Sequence, residues 1–304
     1  MNGLITKVCD REETKSLCAG NVLRVSLMHV VCGATVIALV SLLAGSLMDT
    51  IEVDLGLHHY SESLSPLSTQ LLPMPFNTVV NVGYVVVGVF WILRVRTLLV
   101  SDVVSVEAAY LMCVFAWMIV LYGPVQLVRI ITQWRLAAIL DQWYTLPIFA
   151  WVGISCQEIG RECGKIDVWS VRLIISASIA SYGLAVLHTH GFEVALVAHI
   201  IGVIAQAWCI HQRSLTVTQL DRQRRWAAFV QAVVCCVLFI SLKLADWHLV
   251  RVLPVPFAVL SGHFWSKIAD FMQAHYACQF LEAALPATAR LHSEARSVCQ
   301  QKHK

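Results

Sequence analysis

Charged residues are scarce in this chain. They make up 13% of its 304 residues, while apolar residues make up 58% and the mean hydropathy is +0.69. Because soluble domains carry roughly 25% charged residues, this composition excludes an ordinary soluble domain. We predict instead an all-helical bundle that crosses a membrane several times.

Other features are missing altogether. None of the asparagines begins an Asn-x-Ser/Thr sequence, which excludes N-linked glycosylation of the natural chain. The chain has 11 cysteines, but none lies in the long segment from residue 48 to residue 75. We therefore predict free thiols rather than disulfides. The sequence also contains no internal repeat, coiled coil or phosphate-binding loop.

Long apolar runs dominate what is present. A bilayer core about 30 Å thick requires about 20 apolar residues per helix, so seven or eight spans are expected. The candidate stretches lie near residues 25 to 47, 76 to 93, 107 to 130, 136 to 155, 171 to 188, 192 to 210, 226 to 245 and 257 to 283. Acidic residues precede the first stretch, unlike the short basic start of a cleavable signal peptide. We therefore interpret it as a retained anchor.

The distribution of Lys and Arg orients these helices. If both termini are cytosolic, only Arg129, Arg135 and Arg251 fall on the opposite side, and Lys243 and Lys267 lie within spans. Every other Lys and Arg is then cytosolic, as the positive-inside rule favours. Because this topology accounts for the net charge of +3, we predict no nucleic-acid partner.

The chain divides into five predicted segments. A seven-helix membrane core follows one extra transmembrane helix and an exoplasmic loop, and a cytosolic tail lies at each end. In chain order these are the tail 1–24, the extra helix 25–47, the loop 48–75, the core 76–285 and the tail 286–304.

Ionisable residues within the spans mark the candidate site. A central Asp or Lys opposes membrane insertion by about 2.5 to 3.5 kcal/mol, and such residues are functional candidates. The last span carries His263, Lys267 and Asp270 on one face, and Lys243 and Asp246 lie at the end of the previous span. At spacing i, i+3, Lys243 can pair with Asp246, and Lys267 with Asp270. Two interpretations stay open: a polar or metal-bearing site, and a set of salt bridges that fixes the packing.

A polar seam on the third span extends this cluster. Gln126, Arg129 and Gln133 recur along it, and Asp141 lies near the start of the next span. Arg129 is the natural counter-ion for Asp141 or Glu193. We expect Asp141 to lie at the same membrane level as the polar residues of the last two spans.

Long strings of the chain resemble one membrane protein family. They read MPFNTVVNVGY, YGPVQLVRIITQWRLAAILDQWYTLPIFAW, SYGLAVLHTHGFEVALVAH and GHFWSKIAD, and with their intervening spans they cover most of residues 25 to 285. The resemblance is to the transmembrane protein 187 family. It implies a multi-pass protein of internal membranes, Golgi or endoplasmic reticulum, without implying a particular activity.

Shorter strings are similar to the alkaline ceramidase and progestin-receptor superfamily. They are FNTVVN, LDQWYTLP, LKLADWH and GHFWSK. This resemblance implies a seven-helix fold that holds zinc for the hydrolysis of lipid amides. It matches Asp141 to the Asp of an LDELP-like segment, Asp246 to the Asp that closes the penultimate helix, and His263 to the first of two zinc-binding His on the last helix.

The other zinc-site positions of that superfamily differ here. Ile130 stands eleven residues before Asp141 in place of a His, and no Ser lies one turn earlier. Lys267 replaces the second His, and a protonated ammonium cannot bind zinc. The matched pattern therefore supplies one candidate ligand, His263. Another geometry would have to draw on His188, His190, His248 or Asp270.

We therefore predict a non-catalytic relative of lipid-hydrolase-like seven-helix proteins, acting as a receptor or lipid binder without a cofactor. In this hypothesis the charge of Lys267 takes the place of the metal and pairs with Asp270, Asp246 or Asp141. The expected partners are membrane lipid and a lipid-like ligand. The alternative is a zinc-dependent membrane lipid amide hydrolase with a rearranged metal site.

Overall fold

The fold is helical, and the described part of the chain contains no strand. The computed structural model describes residues 2–56, 62, 67, 69, 74–161, 166–213, 219–253, 257 and 259–302. The helices discussed here are α1 (Asn2–Leu43), α2 (Gly45–Met48), α3 (Pro75–Val79), α4 (Val82–Val100), α5 (Val106–Thr132), α6 (Arg135–Gly160), α7 (Val168–Ser181), α8 (Gly183–Leu187), α9 (Gly191–Arg213), α10 (Gln219–Leu244), α11 (Asp246–Val252) and α12 (Gly262–Lys302).

Six helical segments within the described residues are long and apolar enough to cross a membrane, by length and composition. They are Lys15–Leu43, Pro75–Val100, Val106–Thr132, Val168–Leu187, Gly191–Gln212 and Gln219–Leu244. The two other predicted spans correspond to α6 and the first part of α12. Both helices carry the polar residues described below and fall outside this set. The seven-helix core therefore stays a prediction.

Three helix ends differ clearly from the predicted spans. Helix α1 begins at Asn2, long before residue 25, and α12 begins at Gly262 rather than at 257 and continues to Lys302. Hydropathy marks the apolar part of a helix, whereas the backbone hydrogen bonds continue through polar residues. Side chains of the predicted tail 286–304, and half of the residues of the predicted loop 48–75, lie outside the described residues.

Helix α5 is the centre of the packing. It contacts α1, α3, α4, α6 and α12, and its residues Met112, Phe115 and Ile119 are almost completely buried. Helix α10 packs along α12 and α6 along α9, whereas α9 and α10 contact each other only sparsely. This leaves room between the α6–α9 pair and the α10–α12 pair.

The outer surface of the bundle is apolar. Leu93, Leu173 and Val237 are more than half exposed, as expected for side chains that face lipid. Every cysteine whose side chain is described is a free thiol, which agrees with the sequence prediction.

Candidate functional site

A buried polar cluster joins α5, α6 and α12. The amide of Gln126 and the guanidinium of Arg129 both donate hydrogen bonds to the Asp141 carboxylate, and Arg129 forms an ion pair with it. The ammonium of Lys267 donates to the Gln126 amide oxygen. All four side chains are at most 4% exposed. We call Gln126, Arg129, Asp141 and Lys267 the polar core.

The turn between α5 and α6 brings two members of the polar core together. Gln133, the residue that follows the end of α5, adopts a left-handed conformation with φ of 53° and donates its backbone N–H to the Arg129 carbonyl at 3.0 Å. Helix α6 starts two residues later, at Arg135. Such a short connection makes the helices antiparallel neighbours, so Arg129 and Asp141 face each other across it. Of the two partners that the sequence allowed for Arg129, the structure has Asp141.

Two tyrosines border the polar core, Tyr84 on α4 and Tyr122 on α5. The Tyr84 hydroxyl donates to Asp270 Oδ2 at 2.5 Å. The Lys267 ammonium lies 6.0 Å from the ring centre of Tyr84 and 5.9 Å from that of Tyr122, within range of a cation–π interaction. Tyr122 in turn shares a 3.0 Å hydrogen bond with Thr145.

The predicted pairs along single helices are not observed. Among the described residues, Lys243 forms no ion pair with Asp246, and Lys267 forms none with Asp270. Lys267 instead reaches Asp141 through Gln126, and Asp270 accepts from Tyr84. Partners on neighbouring helices are therefore preferred, because they satisfy these groups while joining helices together.

Asp246 lies in a different place from the polar core. Its Oδ1 accepts the backbone N–H of Gly262 at 2.6 Å, at the first residue of α12. A Cβ at Gly262 would lie 2.8 Å from this oxygen and 2.7 Å from the Leu242 carbonyl oxygen, so the close approach requires glycine. Ser261 accepts the N–H of Phe264 at 3.2 Å. Asp246 and Ser261 thus satisfy N–H groups that the start of a helix leaves unpaired.

The strings FNTVVN and GHFWSK meet at this same end. The amide of Asn77 donates to the Ser261 hydroxyl at 3.2 Å, and the Glu62 carboxylate accepts from Phe76 and Asn77 at the start of α3. His263 is 2% exposed, one turn before Lys267 on α12. The nearness of these two strings was not predicted from the sequence, and the functional importance of the residues stays a prediction.

The histidines proposed for an alternative metal site lie apart from the polar core. The backbone N–H of His190 donates to His188 Nδ1 at 3.0 Å in an exposed turn, and the His248 side chain is exposed. Within the described residues, no three His, Cys, Asp or Glu side chains are grouped so that they could hold a metal ion.

An elongated apolar cavity begins beside the polar core. Residues of α5, α6, α9, α10 and α12 form most of its wall, and α4 contributes Tyr84. Polar groups enter it from Tyr84, Tyr122, Thr145, Asp270 and Gln273, while the rest of the wall is formed by residues such as Phe149, Ile204 and Phe229. The two tyrosines were not predicted from the sequence. In the sequence they could have been recognised, because each places a hydroxyl group within an apolar span.

Comparison with known proteins places the chain in a family. The model of the TMEM187 protein family matches residues 26–282. The chain belongs to the TMEM187 family. It is 40% identical to transmembrane protein 187 of Homo sapiens over 238 residues, covering 77% of this chain and 84% of the human protein. It is 36% identical to the protein of the same name from Bos taurus over 262 residues, or 84% and 93% of the two chains.

Membership of the TMEM187 family confirms the first resemblance drawn from the sequence. Together with the apolar helices, it identifies a multi-pass membrane protein. No solved structure matches the chain.

Proposed function

We propose that this member of the TMEM187 family is a non-catalytic membrane protein that binds the acyl chain of a lipid-like ligand in its bundle cavity. The observation that carries this proposal is the apolar cavity between α5, α6, α9, α10 and α12, which has hydroxyl and carboxyl groups at one end. Ligand sites are commonly apolar clefts with a few well-placed polar groups.

The packing of the helices favours access from the bilayer. Helices α9 and α10, which contact each other sparsely, form one side of the cavity. Ile204 on α9 and Val233 on α10 line the cavity there, and both side chains are partly exposed. A lipid chain therefore has an apolar route from the membrane into the bundle, without crossing a polar surface.

The polar core supports a structural role for the ionisable residues. Asp141 accepts from both Gln126 and Arg129, and Lys267 donates to Gln126. These contacts join α5, α6 and α12, and they hold the Lys267 ammonium beside the polar groups of α5 and α6. This favours the hypothesis that the Lys267 charge stands in place of a metal in a scaffold distantly related to the alkaline ceramidase superfamily. The hydrolase alternative lacks a three-residue metal-binding group within the described part of the chain.

The proposed setting is an internal membrane, in the Golgi or the endoplasmic reticulum, with both termini cytosolic. The unequal distribution of Lys and Arg supports the orientation. The family resemblance supports the internal membrane.

Filling the cavity tests the proposed function. Ala232 lines the cavity from α10, so Ala232→Phe places a ring where an acyl chain would lie. We expect it to lower labelling of the cavity by a photoreactive phosphatidylcholine about tenfold, as overpacking by 1 to 3 kcal/mol implies. The labelled peptides are identified by mass spectrometry of the full-length protein in nanodiscs.

Ala227→Phe is the matched control, because Ala227 lies on the exposed face of the same helix. Its labelling should equal that of the wild type. Equal labelling of the cavity in the wild type and in Ala232→Phe, or no labelling in the wild type, would contradict the proposal.

A further inference from the structure

The far end of the cavity differs chemically from the end beside the polar core. Ala207 on α9 and Phe229 on α10 line the cavity. His211 lies four residues after Ala207, and Arg225 lies four residues before Phe229. Residues spaced i, i+4 share a helix face, so His211 and Arg225 extend the cavity wall by one turn towards the end where α9 and α10 are connected.

Aromatic side chains bridge α9 and α10 at this level. The His211 ring centre lies 5.3 Å from that of Trp226, and Trp208 lies 5.9 Å from Trp226 and 6.2 Å from Phe229. Trp226 stacks on Phe229 with ring centres 5.6 Å apart. Tryptophan suits the boundary between lipid tails and headgroups, because its ring is apolar and its N–H is polar.

The same end carries one buried arginine, one buried histidine and two exposed arginines. Arg225 is 0% exposed and His211 is 7% exposed. The Nδ1 atom of His211 is buried without a hydrogen-bond partner among the described residues. Arg222 and Arg224 lie beside Arg225 on the first turns of α10, and Asp221 is the acidic residue there. The first turns of α10 therefore carry three arginines and one aspartate next to an apolar cavity.

We propose that this end of the cavity binds the phosphate headgroup of an anionic phospholipid whose acyl chain enters the cavity. Arginine matches the geometry of phosphate oxygens, and the apolar wall continues directly from Phe229 towards Asp270. A soluble phosphate would leave that wall unused, so a lipid is the better fit. This inference rests on the proposed function and adds the charge class and direction of the ligand.

The test compares two lipids with identical acyl chains. The full-length protein is reconstituted in phosphatidylcholine nanodiscs containing a minor fraction of phosphatidic acid, and lipids retained after detergent extraction are quantified by mass spectrometry. We expect the wild type to retain phosphatidic acid about tenfold above its share of the membrane, as expected for a charged hydrogen bond. Arg225→Gln should reduce this enrichment to near one while retention of phosphatidylcholine persists.

A second variant and a control variant distinguish loss of the headgroup site from misfolding. Arg222→Gln alters an exposed side chain, so it should fold and lower the enrichment to a smaller extent. Arg96→Gln removes an exposed arginine from α4 and should leave the enrichment unchanged. An effect of Arg96→Gln equal to that of Arg222→Gln would overturn the proposed site, because general surface charge would then be responsible.

The remaining outcomes separate this inference from the proposed function. Retention of both lipids in proportion to the membrane overturns the headgroup site while leaving acyl-chain binding intact. Both proposals are supported if Ala232→Phe loses both lipids while Arg225→Gln loses only the enrichment of phosphatidic acid. Displacement of the retained phosphatidic acid by inorganic phosphate would overturn the choice of a lipid, because the site would then recognise phosphate alone.

Discussion

The pairing of Arg129 with Asp141 shows how single residues hold this bundle together. Both side chains are almost completely buried, and removal of one partner leaves the other charge without compensation. We expect Arg129→Met and Asp141→Leu each to destabilise the protein by about 3 to 5 kcal/mol. The double variant should be destabilised by less than the sum. Thermal unfolding in detergent, analysed as a double-mutant cycle, measures this coupling.

The control for this cycle is an exposed pair. Arg135 lies 3.8 Å from Asp49, whose side chain is 74% exposed, and such pairs contribute about 0 to 1 kcal/mol. The corresponding Arg135→Met and Asp49→Leu cycle should therefore show little coupling. Purely additive effects for Arg129 and Asp141 would mean that their ion pair does not stabilise the fold.

Residue chemistry was easier to predict than residue partners. The cost of a charge in a membrane singled out Asp141, Lys267 and Arg129 from the sequence. It could not predict that Lys267 contacts Gln126, since that contact depends on the rotation of α12 relative to α5. The role of Tyr84 could not be predicted, because a tyrosine is compatible with both a packed core and a polar site.

At the scale of elements, the Glu62 side chain caps the start of α3. Its carboxylate accepts the backbone N–H groups of Phe76 at 3.1 Å and Asn77 at 2.6 Å. Burial raises the pKa of Glu62 above its ordinary value of 4.5, even though these two N–H groups lower it. A carboxyl group with a raised folded pKa stabilises the fold most below its unfolded pKa, and this contribution is lost as the pH rises through the folded value.

We therefore expect the wild type to lose thermal stability as the pH rises from about 4.5 towards neutrality, and Glu62→Gln to lose less. The glutamine keeps an oxygen acceptor for α3 but cannot ionise. Melting temperatures in detergent across this pH range provide the measurement. Asp54→Asn changes an exposed carboxylate in the same loop and should behave like the wild type. An identical pH dependence in Glu62→Gln would exclude Glu62 as its source.

Helix ends were the least predictable elements. Hydropathy located each apolar segment, but α12 begins where Asp246 accepts the Gly262 N–H, and this contact joins residues 16 positions apart. A local sequence pattern cannot predict a partner that far away in the chain. Likewise, α1 continues through polar residues to Asn2, because helical hydrogen bonding does not require an apolar sequence.

At the scale of the whole molecule, the number of helices that qualify as membrane spans depends on where the buried polar residues lie. Helix α6 contains Asp141 and α12 contains Lys267 and Asp270, and these buried polar residues lower the hydropathy of both helices. Helix α5 carries Gln126 and Arg129 but remains apolar enough to qualify as a span. The lowered hydropathy of α6 and α12 is the physical reason why six segments satisfy length and composition, whereas the sequence pattern predicted seven or eight.

Glycosylation provides a direct test of the predicted orientation, because the natural chain has no acceptor sequence. His59→Asn creates Asn-Tyr-Ser in the predicted exoplasmic loop, and Ala295→Asn creates Asn-Arg-Ser in the predicted cytosolic tail. Only acceptors in the lumen receive a glycan, so His59→Asn should produce a gel shift that a glycosidase removes, and Ala295→Asn should not. A shift for Ala295→Asn would place the C-terminus in the lumen and reverse the proposed orientation of the last helix. If both variants shifted, the two positions would lie on the same side of the membrane. The number of spans between them would then be even, and not the odd number predicted.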